Sequence, residues 1–226
     1  MRKAVPFFIC ILSLTSISYA APCYGTRLPK EKQFFTGVQT HIIFKRYLED
    51  EFGKVRSRQH FLLLSFGLKD WFSVDLKGGA GNIKQRPTDS PEIDYSSSFS
   101  GGYGFRMKLY DENKQRIVFG FQHISVHPQM RRLGEVKHRA ILDDWQASLL
   151  VSRDFSKTTP YLGVKWSRVD YIHKIEDSRK RRMSDLTREL GVVAGFDFSL
   201  NQKAWLNVEG QLGDGEACCA SMNFSF

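Results

Sequence analysis

Apolar and polar side chains alternate along nearly the whole chain from Phe34 onward, which is the pattern of β-strands with one apolar and one polar face. The alternation divides into segments close to the roughly 9–11 residues with which a tilted strand crosses a bilayer. The segment at about 115–127 is the least regular. The ten segments are about 34–46, 59–69, 71–83, 97–110, 115–127, 141–155, 160–173, 189–200, 203–213 and the end of the chain.

The connections between these segments alternate in length. Turn-type residues form four short connections, at 69–70, 111–114, 156–159 and 201–203. Four others are long, at about 48–58, 84–96, 128–140 and 174–188, and the last, near 213–216, is tight. Short turns on one side and long loops on the other predict an all-β, closed, antiparallel up-and-down transmembrane β-barrel of about ten strands. Eight strands is the alternative, and a soluble lipocalin-like barrel with its apolar face inside has the same period.

The first residues have the features of an export signal. Arg2 and Lys3 precede an apolar stretch at 4–17, and the small residues Ser18 and Ala20 follow at positions −3 and −1 of a cleavage site, so we expect a Sec-type signal peptide at 1–20. A periplasmic segment at 21–33 and a barrel domain at 34–226 would follow. After the signal no run of about 18 apolar residues remains, so any membrane crossing is expected from strands.

The last strand ends on an aromatic residue, with Met222 and Phe224 at alternate positions before Phe226. This ending resembles the assembly signal of bacterial outer-membrane β-barrels. The resemblance implies a location in the bacterial outer membrane, contact with its lipids, and recognition of Met222, Phe224 and Phe226 by the barrel-assembly machinery.

The polar face of the predicted strands carries charges of both signs. Because buried charges need partners, a face with balanced charge predicts a packed, plugged polar lumen, and hence a structural or surface-interaction role. A small channel is one alternative function. The charged residues of this face are Asp75, Lys77, Arg106, Lys108, Asp144, Lys165, Asp197 and Glu209.

Positive charge dominates the long loops, and the chain carries a formal net charge of +9. On an exported barrel, nucleic acid is not an expected partner. We expect the loops to contact lipopolysaccharide phosphates or other anions, and solvated loops are the alternative. The residues concerned are Arg131, Arg132, Arg179, Lys180, Arg181 and Arg182.

His123 and Ser125 share the apolar face of the fifth segment, where polar groups are costly. The stretch 119–125 resembles the His-x-Ser motif of lipid A deacylases, outer-membrane esterases whose catalytic residues lie on the lipid-facing wall. The resemblance implies that His123 is the base, Ser125 the nucleophile and Glu135 the residue that orients the histidine. Val126 departs from the family pattern, which has Asn there. A lipid A ester hydrolase is therefore the enzymatic alternative to the structural role.

Other chemistry has little support in the sequence. No metal-ligand spacing is present, and we expect neither metal nor cofactor. Cys218 and Cys219 point to opposite faces of a strand, so we expect free thiols there.

Overall fold

The structure, a computed structural model, describes residues 25–176 and 182–226. Ten long antiparallel strands form a closed barrel, and two short strands, β6 and β9, extend β7 and β8 at one end. This confirms the predicted ten-stranded barrel and excludes eight strands. The strands are β1 (Phe34–Tyr47), β2 (Lys54–Lys69), β3 (Phe72–Arg86), β4 (Ile93–Glu112), β5 (Gln115–Val126), β6 (Arg131–Leu133), β7 (Val136–Arg153), β8 (Thr158–Ile175), β9 (Arg182–Ser184), β10 (Leu190–Ser199), β11 (Ala204–Leu212) and β12 (Glu216–Ser225).

Pairing between the first and last strands closes the barrel, since β1 and β12 are hydrogen-bonded in a register that places Gly37 opposite Asn223. The other barrel strands pair in chain order, with β5 joined to β7 and β8 joined to β10. The only helical element in the described residues is the 3-10 turn Asp50–Phe52. In residues 25–176 and 182–226, no helix is long and apolar enough to span a membrane.

The two faces of the barrel wall differ as a transmembrane barrel requires. Leu62 and Leu162 point outward and are 68% and 59% exposed, whereas Gln146 and Lys165 point inward and are 0% and 2% exposed. An apolar outer face and a polar inner face are the opposite of a lipocalin-like barrel. The alternative of a soluble barrel with an apolar interior is therefore wrong.

Several strands continue well beyond their predicted ends. Residues 54–58, 84–86 and 136–140 belong to strands, although the sequence pattern assigned them to loops. These extensions lie at the end of the barrel with the long connections, which is called the upper end below. There the inward-facing side chains are apolar and the outward-facing ones are polar. Val55 points inward and is fully buried, while its neighbours Lys54 and Arg56 point outward. A prediction that assumes an apolar outward face along the whole strand therefore places the strand end too early.

An apolar core fills the inside of the upper barrel because of this reversal. Phe52, Tyr95, Leu142 and Tyr171 are among its members, and all are at least nine-tenths buried. The rings of Phe52 and Tyr171 pack edge to face with centroids 5.7 Å apart. This end of the lumen is thus packed like the interior of a water-soluble protein.

The stretch before β1 enters the opposite end of the lumen. Thr26 is fully buried and its hydroxyl lies 2.8 Å from that of Ser152. Arg106 donates to the carbonyl of Arg27, whose own side chain pairs with Asp197 at 3.4 Å. Inward-facing side chains therefore hold this stretch from several sides.

The two adjacent cysteines have different states. Cys218 is a free thiol, as expected, but Cys219 is disulfide-bonded, so the expectation of a free thiol was wrong for that residue. The alternation of the strand explains the difference in environment, because Cys219 points inward and is fully buried while Cys218 is half-buried on the outer side.

Candidate active site on the outer wall

The outward face changes from apolar to polar at one level of the wall formed by β5, β7 and β8. On β5, the outward-facing Phe119 and Phe121 are followed by His123 and Ser125. Strand β7 runs antiparallel to β5, so in the same direction along the wall its outward-facing Trp145 is followed by Asp143. Aromatic side chains are typical of the boundary between hydrocarbon and headgroups, so the first polar row lies at that boundary.

Strand register brings the polar residues of this row together. Ser125 on β5 is directly opposite Asp143 on β7, and His123 is directly opposite Trp145. Asp143 is in turn opposite Asp170 on β8. Directly opposed side chains on one face of a sheet are in contact distance.

Ser125 has two polar partners. Its Oγ lies 2.7 Å from Nε2 of His127, and it also forms a hydrogen bond with Oδ1 of Asp143. The hydroxyl has one proton to donate. It can therefore donate either to Asp143, while accepting from protonated Nε2 of His127, or to an unprotonated Nε2.

His123 belongs to the same cluster but contacts Ser125 through Asp143. Its Nε2 lies 3.7 Å from Oδ1 of Asp143. The imidazole stacks on the ring of Trp145, with centroids 4.0 Å apart, and lies 5.3 Å from the ring of Tyr103. Two aromatic side chains thus fix its position on the wall.

Glu135 is not part of this cluster. It is exposed in the turn between β6 and β7. It precedes Asp143 by eight residues, which along an extended strand is about 26 Å. The carboxylate that the structure places beside Ser125 is that of Asp143.

The basic residues expected to contact anions lie in different parts of the upper end. Arg131 and Arg132 are exposed residues of β6. Arg182 begins β9. Arg179, Lys180 and Arg181 lie outside the described residues.

The residues of the predicted assembly signal lie on the outward face of β12 and at the chain end. Met222 and Phe224 are each 36% exposed, and Phe226 is 60% exposed. The N–H of Phe226 donates to the carbonyl of Phe34 at 3.0 Å, and the two rings stack with centroids 5.1 Å apart. The last residue is thus attached to the strand that closes the barrel.

In the part of the chain that the structure describes, no group of three or more His, Cys, Asp or Glu side chains is arranged to hold a metal ion. The outer-wall cluster itself consists of a hydroxyl, two imidazoles and a carboxylate.

Comparison with known proteins is informative only for the fold. No family model and no curated protein matches the chain. Solved structures that resemble it are outer-membrane barrels. The strand pairing of this chain itself defines its fold, a closed antiparallel β-barrel. The outer membrane protease OmpT from Escherichia coli is 13% identical, with 88% of this chain and 96% of that chain covered and a TM-score of 0.45.

Two further structures have a similar relationship to the chain. The β domain of the Bordetella autotransporter BrkA is 12% identical, with 86% of this chain and all of that chain covered and a TM-score of 0.47. OprG from Pseudomonas aeruginosa is 8% identical, with 88% and 98% covered and a TM-score of 0.43. At these identities the likeness concerns architecture alone, and the resemblance to lipid A deacylases stays a prediction.

Sequence reasoning missed two members of the cluster as functional residues. His127 follows Ser125 at the same two-residue spacing as His123 precedes it, so the pattern His-x-Ser-x-His was a usable signal for three residues on one face. Asp143 had no such signal. Its place opposite Ser125 depends on a register set across the long 127–135 connection.

Proposed function

We propose that this chain is a sealed outer-membrane barrel that acts from its outer wall on the lipids around it, and that Ser125 is the nucleophile of an ester hydrolase. The observation that carries the proposal is the 2.7 Å contact between Ser125 Oγ and His127 Nε2 at the apolar-to-polar boundary of the outward face. A hydroxyl within hydrogen-bond reach of an imidazole is the minimum requirement of a serine hydrolase.

The reaction follows from that geometry. Ser125 Oγ attacks the carbonyl carbon of an acyl ester while its proton passes to Nε2 of His127. The bond to the alcohol oxygen then breaks, and His127 returns the proton to the departing alcohol. Water releases the fatty acid in a second step of the same kind. The carboxylate of Asp143 lies between Ser125 and His123 and helps to position the serine side chain through its hydrogen bond.

The proposed substrate is an acyl ester of an outer-leaflet lipid, such as lipid A. A lipid ester lies near the boundary between hydrocarbon and headgroup, which is the level that Trp145 marks on this wall. A water-soluble ester would gain nothing from a site on this surface.

Closed ends of the lumen support the view that the interior does not conduct. The apolar core fills the upper end, and the stretch around Thr26 and Arg27 occupies the lower end. Between them lies a cavity of about 60 Å³. We therefore expect no stepwise conductance from the purified barrel in planar bilayers, and regular steps would overturn the sealed interior.

Export and location belong to the same proposal. The leader at 1–20 and the terminal Phe226 support delivery to the outer membrane by the Sec route and the barrel-assembly machinery. The protein should appear in the outer-membrane fraction without residues 1–20, and its unboiled form should migrate differently on a gel from the boiled form.

Mass spectrometry of lipid A tests the enzymatic part. Lipid A from cells that make the protein should lack an acyl chain, and Ser125→Ala and His127→Asn should each restore the full acylation pattern. Asp143→Asn should lower the extent of deacylation without abolishing assembly. Leu62→Val, a change on the outward face of β2 away from the cluster, serves as the control and should leave deacylation intact. Unaltered lipid A with a normally assembled barrel would reject the hydrolase.

A structural or surface-interaction role is the second candidate, and the packed interior favours it. It requires no turnover, so it would be the remaining function if the barrel assembles normally and lipid A is unchanged. Deletion of the gene should then weaken the envelope against detergents and bile salts, and the Ser125→Ala protein should restore resistance as well as the wild type.

A further inference from the structure

We propose that four cations on the outward face of β6, β7 and β8 form a binding surface for the phosphate-bearing headgroup of an outer-leaflet lipid. They are Arg132, Lys137, Arg139 and Lys174, and they are called the cation quartet below. The inference rests on the proposed function only in naming the substrate class of the Ser125 site. The quartet makes a separate prediction about binding.

Strand register assembles the quartet. Arg132 is directly opposite Lys137 in the β6–β7 pair, and Arg139 is directly opposite Lys174 in the β7–β8 pair. On β7 the even-numbered neighbours Ala140 and Leu142 are buried inside the barrel, so the odd-numbered cations point outward.

Like charges directly opposite each other destabilise a sheet, and this chain elsewhere provides counter-charges. Arg56 and Lys84 are also opposite each other, but Arg56 pairs with Glu92 and Lys84 pairs with Asp94. For the quartet, no side-chain ion pair is present among residues 25–176 and 182–226.

Two carboxylates lie near the quartet without forming an ion pair with it. Glu135 is exposed in the β6–β7 turn, two residues from Lys137, and the carboxylate of Glu176 accepts from the backbone N–H of Lys137 at 3.0 Å. Asp143 and Asp170 pair lower on the wall, with His123 and Arg168. Four cations beside two carboxylates leave an excess of positive charge that an external anion would stabilise.

The height of the quartet selects a lipid as the anion's source. Arg139 is four residues from Asp143 on β7, about 13 Å along the strand and on the same outward face. Trp145, which marks the edge of the hydrocarbon, is two residues below Asp143 and hence about 20 Å from Arg139 along a tilted strand. The backbone of Arg139 therefore lies beyond a headgroup layer that is roughly 5–8 Å thick, and the long Arg139 and Lys174 side chains would meet headgroup phosphates by extending down the wall. A phosphorylated lipid held there would place its acyl ester near Ser125.

The test measures binding in the absence of turnover. Full-length mature barrel carrying Ser125→Ala is solubilised in a neutral detergent and titrated with bis-phosphorylated lipid A, with bound lipid counted by native mass spectrometry. Arg139→Gln combined with Lys174→Gln removes half of the quartet. The matched control is Lys54→Gln with Arg86→Gln, because these cations are also directly opposite each other and exposed, but lie on β2 and β3, far around the barrel.

We expect the quartet variant, which lacks two cations, to lose affinity for lipid A by roughly thirtyfold, because each cation near an anionic surface contributes attraction. The control should bind like the parent, and dephosphorylated lipid A should bind weakly to all three. Equal losses in the quartet variant and the control would overturn the proposal, since attraction would then be spread around the whole rim. Binding that does not depend on the lipid's phosphates would also overturn the proposal.

A soluble anion is the remaining alternative and is tested with inorganic pyrophosphate. If pyrophosphate at micromolar concentration displaces lipid A, the surface serves a free phosphate compound, and the lipid proposal fails. If lipid A binds through the quartet but cells show unchanged lipid A, the binding surface stands while the hydrolase does not.

Discussion

Replacement of Asp214 by asparagine should be the most damaging conservative change inside the barrel. Asp214 lies in the turn between β11 and β12, and its carboxylate is 2.8 Å from Nζ of Lys165 and 3.5 Å from Nη2 of Arg46. Arg46 also pairs with Asp144, and all four side chains are at most 3% exposed. Two cations and two carboxylates balance, so Asp214→Asn leaves one buried positive charge without compensation.

The expected loss is about 3–5 kcal/mol in the free energy of unfolding, the range for breaking a buried ion pair by removing one partner. That corresponds to a decrease in the folding equilibrium constant by roughly a hundredfold or more. Urea unfolding of the barrel in lipid vesicles, followed by tryptophan fluorescence and by mobility of unboiled protein on gels, measures it.

Two control variants make the result specific. Glu216→Gln breaks an exposed pair with Lys45, 3.4 Å long, and should cost less than about 1 kcal/mol. Asp214→Asn combined with Lys165→Met restores neutrality and should recover much of the loss. If Asp214→Asn is as mild as Glu216→Gln, or the double variant is no better than the single one, the charge-balance argument is refuted.

Two further predictions concern particular contacts. Gly191→Ala would place a methyl group 2.4 Å from Oδ1 of Asp214 and should destabilise the barrel in the same assay, whereas Gly78→Ala, with no atom within 4 Å of the added group, should be neutral; equal effects would contradict this assignment. Phe226→Ala removes the stack on Phe34, which is worth about 0.5–1.5 kcal/mol. It should lower the fraction of heat-modifiable barrel in outer membranes, and an unchanged fraction would argue against the terminal aromatic as an assembly signal.

The halves of the strands nearer the short turns were predictable, because outward-facing residues there are apolar and inward-facing residues are polar. In β2, Leu62, Leu64 and Phe66 face outward, as their spacing indicated. The upper half of the same strand was missed because Arg56 and Arg58 occupy the outward positions, and the sequence alone does not say that lipid has ended. The structure shows the reversal, because Val55 lies inside an apolar core.

The candidate site was predictable within a strand and unpredictable across strands. Positions two residues apart share a face, so His123 and Ser125 could be placed together on the outer wall. The partner carboxylate was expected at Glu135, close in sequence, but the β6–β7 turn carries Glu135 away from the wall, and Asp143 arrives from β7 instead. Cross-strand register depends on loop length and geometry, which alternation does not encode.

The packed interior and the polar outer wall both bear on where the proposed activity lies. An apolar core that includes Tyr171 occupies one end of the lumen and Thr26 lies in the other, which supports the proposal that the interior does not conduct. Polar groups on a lipid-facing wall carry an unfavourable desolvation free energy unless they pair or reach the headgroup layer. Ser125 and Asp143 do both, since they bond to each other and lie at the first polar level of the wall. Structural needs alone would be met by apolar residues at these positions, and this supports the proposed activity on the surrounding lipid.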